Sequence, residues 1–305
     1  MPAREAGGQM AMAQGRARHP DATGFVERDG VHVFYEVYGS GEPAIVLLPT
    51  WSIIHSRLWK LQIPDLARRF RVVTFDPRGN GRSDRPTNAA AYAEAEFAAD
   101  ALAVMDATAT ERAVLVSLSL GAQRALLLAA EHPARVSGAV FIGPALPLTA
   151  PAGGRGTWDF KERLDADAGW AKYNSHYWRR DYRGFLEFFF AECFSEPHST
   201  KPTEDAVAWG LETDPESLIT AHYAPRLGSR DEVLAQCDRI RCPVLVIHGS
   251  NDRIQPHAKG LELARLTGGR LLTIEGGGHI PNAREPVRVN LAIRDFVDSI
   301  SEGGS

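Results

Sequence analysis

A serine attacks a carbonyl carbon only when its hydroxyl is held exposed beside a base, and Val116-Ser117-Leu118-Ser119-Leu120-Gly121 can hold one that way. The segment joins a β-branched apolar run, Ala113–Val116, to an Ala-rich helical stretch, Gly121–Glu131. A tight strand-to-helix turn exposes the residue at its apex, here Ser119, and crowds the backbone two residues to either side. Small residues must stand at those positions, and Ser117 and Gly121 do. The helix that follows points its first N–H groups at the place where an oxyanion would form. Taken alone, the segment also reads as a strand–helix junction with a capping serine.

Two further segments supply the partners such a serine needs. His248-Gly249-Ser250-Asn251-Asp252 lies just beyond the apolar run Val244–Ile247, so Asp252 falls at a strand's C-terminal edge, in the same crevice as Ser119. Gly276-Gly277-Gly278-His279 follows Leu271–Ile274, and three glycines leave that loop free to bring an imidazole over the sheet edge. An Asp in a turn and a His in a loop are each commonplace. Their conjunction is not: nucleophile, acid and histidine occur in that chain order, each after its own strand.

The elements that would position these groups alternate. Phe25–Val26 and Val31–Tyr38 flank the turn Asp29-Gly30 as an antiparallel hairpin. Ala44–Leu48, Arg71–Phe75, Ala113–Val116, Val136–Ile142, Val244–Ile247 and Leu271–Ile274 read as strands. Helical spacing appears over Leu58–Arg69, Ala89–Ala107, Gly121–Glu131, Ala258–Leu266 and Val287–Ile300. Alternation of this kind implies an α/β fold, a mostly parallel doubly wound sheet of about eight strands. The series breaks over residues 147–229, where aromatics gather; Trp170–Phe194 repeats them at three- and four-residue spacing, as amphipathic helices do. An inserted helical cap is expected there, with the core in 25–146 and 230–300.

On these residues the chain resembles the α/β-hydrolase superfamily from about Phe25 to Ile300. The superfamily's nucleophile turn maps onto Ser117–Gly121, its acid turn onto Gly249–Asp252 and its histidine turn onto Gly278–His279. The resemblance implies a catalytic triad of Ser119, Asp252 and His279. Phe75–Asp84 also looks family-like and implies a structural turn near the pocket. The common glycine of the nucleophile turn is here Ser117. The usual His-Gly after the first parallel strand is here Pro49-Thr50, which leaves the N–H groups of Trp51 and Leu120 as the expected oxyanion hole. An acid after Val136–Ile142 is excluded, because Gly143-Pro144-Ala145 offers no carboxylate. A serine nucleophile argues against the dehalogenase and epoxide-hydrolase branches, which use aspartate.

The function expected is a serine hydrolase that cleaves a carboxylic ester or lactone of an apolar or aromatic small molecule through an acyl-enzyme, with no metal and no organic cofactor. Aromatics of the cap should roof the pocket, with His55, Trp178, Phe188 and Ile280 as candidate lining residues. Two alternatives use the same residues: carbon–carbon bond hydrolysis by the same triad, and a ligand-binding or sensory module. Thr50–Arg57 resembles hydrolase-like domains attached to bacterial signalling proteins, which supports the second.

The 305 residues are 44% hydrophobic with a formal charge of −4 and no long run of one sign, which points away from nucleic-acid and membrane-surface partners. Cys193, Cys237 and Cys242 form no CxxC pair, so a reducing compartment with idle thiols is expected. Residues 1–24 are Ala/Gly/Arg-rich without the apolar core of a secretory signal, and read as a disordered tail on a cytoplasmic protein.

Overall fold

The computed structural model describes residues 17–150 and 158–302. Strands β1 (Ala22–Arg28) and β2 (Val31–Tyr38) form the hairpin, turning at Asp29 and Gly30, both left-handed with φ of 52° and 75°. A turn of that hand matches the twist of the strands it joins. β3 (Ala44–Leu47), β4 (Val72–Phe75), β5 (Ala113–Leu118), β6 (Val136–Ile142), β7 (Val244–Gly249) and β8 (Arg270–Ile274) complete one sheet in the order β1-β2-β4-β3-β5-β6-β7-β8. Pairs β1/β2 and β2/β4 are antiparallel, and every pairing from β4 to β8 is parallel. The central strands β3, β4 and β5 are buried throughout, which is why they read as continuous apolar runs without alternation.

Helices α1 (Ile63–Leu66), α2 (Glu94–Ala107) and α3 (Gly121–Glu131) precede the insertion. Between β6 and β7 come α4 (Ser175–Arg180), α5 (Tyr182–Cys193), α6 (Thr200–Gly210), α7 (Pro215–His222) and α8 (Arg230–Cys237). Then follow α9 (His257–Thr267), α10 (Pro281–Arg284) and α11 (Pro286–Glu302). Alternate strand residues sort the core into two layers. Ile45, Leu47, Val114 and Val116 face α1, α11 and the helices α4–α7, whereas Val46, Leu115, Phe141 and Val246 face α2, α3, α8 and α9. Among the described residues no helix is long and apolar enough to cross a membrane.

Three boundaries differ from the sequence reading. Strand β1 begins at Ala22, inside the expected tail, because Asp21 N–H donates to Val37 O at 2.8 Å and the Asp21 carboxylate takes Gly39 N–H at 2.6 Å. Residues 1–16 of that tail lie outside the described residues. The helical run Leu58–Arg69 breaks into a 3-10 turn, Ser56–Trp59, and the single turn α1, since Pro64 has no N–H to carry one helix through. Ala89–Ala107 divides at Ala93, whose extended backbone (ψ 146°) separates α2 from a short turn that Asn88 caps by accepting Ala91 N–H.

Candidate active site

Ser119 occupies the turn between β5 and α3 with φ 53°, a left-handed conformation costing a side chain roughly 1–2 kcal/mol. The turn is pinned on both sides: Ser119 N–H donates to Ile142 O at 2.9 Å, and Ser119 O accepts Ala122 and Ala145 N–H at 3.0 Å each. A Cβ at Gly121 would stand 2.7 Å from Pro49 O, so glycine is required where the helix passes the loop after β3. At position 117 a serine fits, because its buried hydroxyl donates to Val140 O at 3.0 Å.

Asp252 and His279 come together at the ends of β7 and β8. His279 Nδ1 lies 2.8 Å from Asp252 Oδ2, and both side chains are nearly buried. The other carboxylate oxygen accepts N–H from Ile254 and Gln255 at 2.8 Å each. Burial pushes the Asp252 carboxyl up, but the charge of His279 and hydrogen bonds from His248 and His279 outweigh it and hold it well below the usual carboxylate range. With Nδ1–H aimed at the carboxylate, the second ring nitrogen of His279, Nε2, is left to face away from it. Both residues stand beside the serine turn: a Cβ at Gly143 would lie 3.2 Å from His279 Nδ1 and 3.4 Å from Asp252 Oδ2. Gly143 begins the loop that ends at Ala145, the residue bonded to Ser119. The Ser119 hydroxyl makes no hydrogen bond to His279 in this conformation. A ligand-free site often closes that contact only around its substrate.

Two polar residues that the sequence reading did not single out hold this arrangement. His248 Nε2 lies 3.1 Å from Asp252 Oδ2 and 3.0 Å from Gln255 O, two acceptors, so it carries the proton. His248 Nδ1 is buried without a hydrogen-bond partner. Arg124, buried on α3, donates from Nη1 to Pro49 O at 2.8 Å and Thr50 O at 2.7 Å, fastening the loop that carries Trp51. Burial pulls the Arg124 pKa down; Glu94, 2.8 Å from Nε, opposes it. The sequence carried faint signals for both: a histidine preceding the acid turn, and a charge inside an Ala/Leu helix.

Neither the Trp51 nor the Leu120 N–H donates to a backbone acceptor among the described residues. Both residues line a cavity of about 240 Å³ together with Ser119, Tyr173, Phe189 and Ile254. None of the four expected lining residues is on that wall. Trp178 is fully buried behind Trp51, with ring centroids 5.8 Å apart. Phe188 packs edge-on against Trp170 at 5.2 Å. Ile280 lines a separate cavity of about 220 Å³ with Ile54, Leu58 and Trp209. His55 Nε2 lies 3.3 Å from Glu212 Oε2, and this contact, ahead of the burial that opposes it, draws the Glu212 pKa down. Among the described residues no group of three His, Cys, Asp or Glu side chains could hold a metal ion.

A family profile described as the alpha/beta hydrolase fold matches residues 43–286. The chain belongs to the α/β-hydrolase family. It is 27% identical over 280 residues to the AB hydrolase superfamily protein YisY of Bacillus subtilis, covering 88% of this chain and 96% of that one. The structure of Est816, described as an N-acyl homoserine lactone degrading enzyme, superposes with a TM-score of 0.70 at 28% identity, over 90% of this chain and all of that one. The esterase RhEst1 from Rhodococcus sp. ECU1013 superposes with a TM-score of 0.73 at 26% identity, over 90% and 98% of the two chains. The α/β-hydrolase fold accounts for the strand order and for the placement of the three turns at the C-terminal ends of β5, β7 and β8.

Proposed function

We propose that this α/β-hydrolase cleaves a carboxylic ester or lactone through an acyl-enzyme on Ser119. The observation that carries the reading is the buried Asp252–His279 pair, 2.8 Å apart, beside a serine held in a left-handed strand-to-helix turn. Ser119 Oγ attacks the carbonyl carbon as His279 Nε2 takes its proton, and Asp252 fixes the tautomer and stabilises the imidazolium. The Trp51 and Leu120 N–H groups hold the tetrahedral oxyanion. His279 then gives its proton to the leaving oxygen. Water, deprotonated by the same nitrogen, releases the acid and restores Ser119.

Helices α4–α7 act as a cap. The chain leaving α5 bears on the histidine loop, since His279 N–H donates to Cys193 O at 2.9 Å and Gly278 N–H to Glu196 Oε1 at 2.7 Å. The esterase and lactone-degrading relatives support the ester and lactone class. The test is turnover of short aryl esters and lactones. Ser119→Ala should lose at least about 10³-fold in kcat with its melting temperature retained, and Asp252→Asn about 10⁴-fold. Turnover by Ser119→Ala at the wild-type rate would remove the serine from the mechanism.

A further inference from the structure

Part of the lining of the Ser119 cavity is polar. Gln123, Arg226, Gln255 and Lys259 line it beside Ala145, Leu146, Pro147 and Leu227, which puts two cationic side chains in a space expected to be apolar. They come from different elements: Arg226 from the strand-ward return after α7, Lys259 from the first turn of α9.

Arg226, which is partly buried, differs from the two fully buried arginines. Arg78 bonds Asp100 through Nε and Nη2 at 2.6 and 2.7 Å, and Arg124 pairs with Glu94. Among the described residues the one hydrogen bond of the Arg226 guanidinium is Nη2 to Ala221 O at 3.0 Å, and its Nε is buried without a partner. No carboxylate pairs with it among the described residues. An arginine is charged at every accessible pH, and a buried donor left unmade is costly. Its charge is felt nearby: burial first, and Arg226 second, bring the His222 pKa down to about 4.

The position of Arg226 relative to Ser119 is fixed. Gln123, on the helix that Ser119 begins, accepts Leu227 N–H at 2.8 Å and donates to Ala145 O at 3.2 Å. One side chain thus joins the Arg226 segment to the serine turn and its neighbouring loop. Lys259 is held equally close to the acid: its Nζ donates to Gln255 Oε1 at 2.7 Å, and Gln255 N–H bonds Asp252 Oδ1.

We infer that the substrate carries a carboxylate, seated on Arg226 with Lys259 beside it, while its ester or lactone carbonyl lies at Ser119. This rests on the serine-hydrolase reading for the reaction but not for the anion site. The cavity then takes a compact ester or lactone with an apolar middle against Trp51 and Phe189 and an anionic end. Arg226 is the residue that selects it.

Two pairs of measurements test this. The first is kcat/KM for 4-nitrophenyl hemiadipate against 4-nitrophenyl hexanoate, which differ only in the terminal carboxylate. Wild type should prefer the hemiadipate, and Arg226→Gln should lower the hemiadipate/hexanoate ratio about 10- to 100-fold. Arg226→Lys should restore part of it, and Lys259→Met should lower it independently. The second is calorimetric titration of Ser119→Ala, and of its Arg226→Gln double variant, with adipate. Melting curves establish that each variant is folded, and Lys259→Met decides if Arg226→Gln is not. A ratio near one in wild type, or unchanged by Arg226→Gln while both esters turn over, overturns the anion site and leaves the hydrolase reading standing. No turnover of either ester, with adipate binding lost in the double variant, upholds the site and overturns the reaction. Neither turnover nor binding overturns both.

Discussion

The sheet edge that carries Ser119, Asp252 and His279 is limited by backbone meeting backbone. A Cβ at Gly249 would collide with the carbonyl oxygens of Gly277 and Gly278, and one at Gly121 would crowd Pro49 O. The helices inserted above it are limited by side chains meeting side chains. There Trp178 stacks at 4.4 Å on Phe185 and 4.8 Å from Phe160, and Phe160 lies 3.8 Å from the His222 ring. A backbone approach admits few residue types, and a sequence shows it directly. An aromatic cluster admits many arrangements, and its members reveal burial without revealing which face looks into a cavity.

Breaking the aromatic cluster should give the largest effect on stability. Trp178→Ala removes a fully buried ring and should cost about 3–5 kcal/mol, read by denaturant unfolding. If the sheet edge is built independently of the inserted helices, the protein that remains folded still presents a reactive Ser119. Loss of that reactivity in folded protein would show that Trp178, through Trp51, shapes the site.

Gly249→Ala should come next, at about 3 kcal/mol, because the methyl group forces the acid and histidine turns apart. Its ester kcat should fall out of proportion to its stability, since the Asp252–His279 bond spans those turns. A rate within twofold of wild type would mean that the two turns tolerate separation.

The third effect depends on pH. His222 is held neutral in the folded protein, with its pKa lowered by burial and by Arg226 to about 4. A depressed histidine binds fewer protons folded than unfolded, so its contribution is complete above about pH 6.5 and drains away as the pH falls toward 4. Up to about 3 kcal/mol should be lost across that window. His222→Gln should flatten the curve there, and an unchanged slope would place the titration elsewhere.

The smallest effect is the counterpart of Gly249. Gly169, in the inserted segment, has φ 55° but nothing within 4 Å of a Cβ. Gly169→Ala should cost about 1 kcal/mol of backbone strain and leave ester turnover within twofold. A larger loss of rate would show that this turn moves with the site.

The same contrast explains what the sequence disclosed. The sheet, the serine turn and the histidine turn were legible because the strands are continuous apolar runs, Ser117 and Gly121 mark a crowded turn, and the Gly276–Gly278 run marks a loop with an unusual backbone, left-handed at Gly276 and closely approached at Gly277 and Gly278. Trp178 and Phe188 were expected on the cavity wall because helical spacing marks a buried stripe; the structure turns them into the packing behind and beside it. His248 and Arg124 escaped because a buried polar side chain takes its meaning from partners brought near by the fold, such as Glu94, thirty positions before Arg124. Arg226 escaped for the converse reason: what distinguishes it is a place on the Ser119 cavity with no carboxylate partner among the described residues, which no spacing displays.

The most direct test of the account is mass spectrometry after exposure to a fluorophosphonate, with Ser119→Ala alongside. One adduct is expected, located on Ser119 and missing from Ser119→Ala. Folded protein that takes no adduct, or takes it on another residue, would contradict an activated serine at the β5–α3 turn.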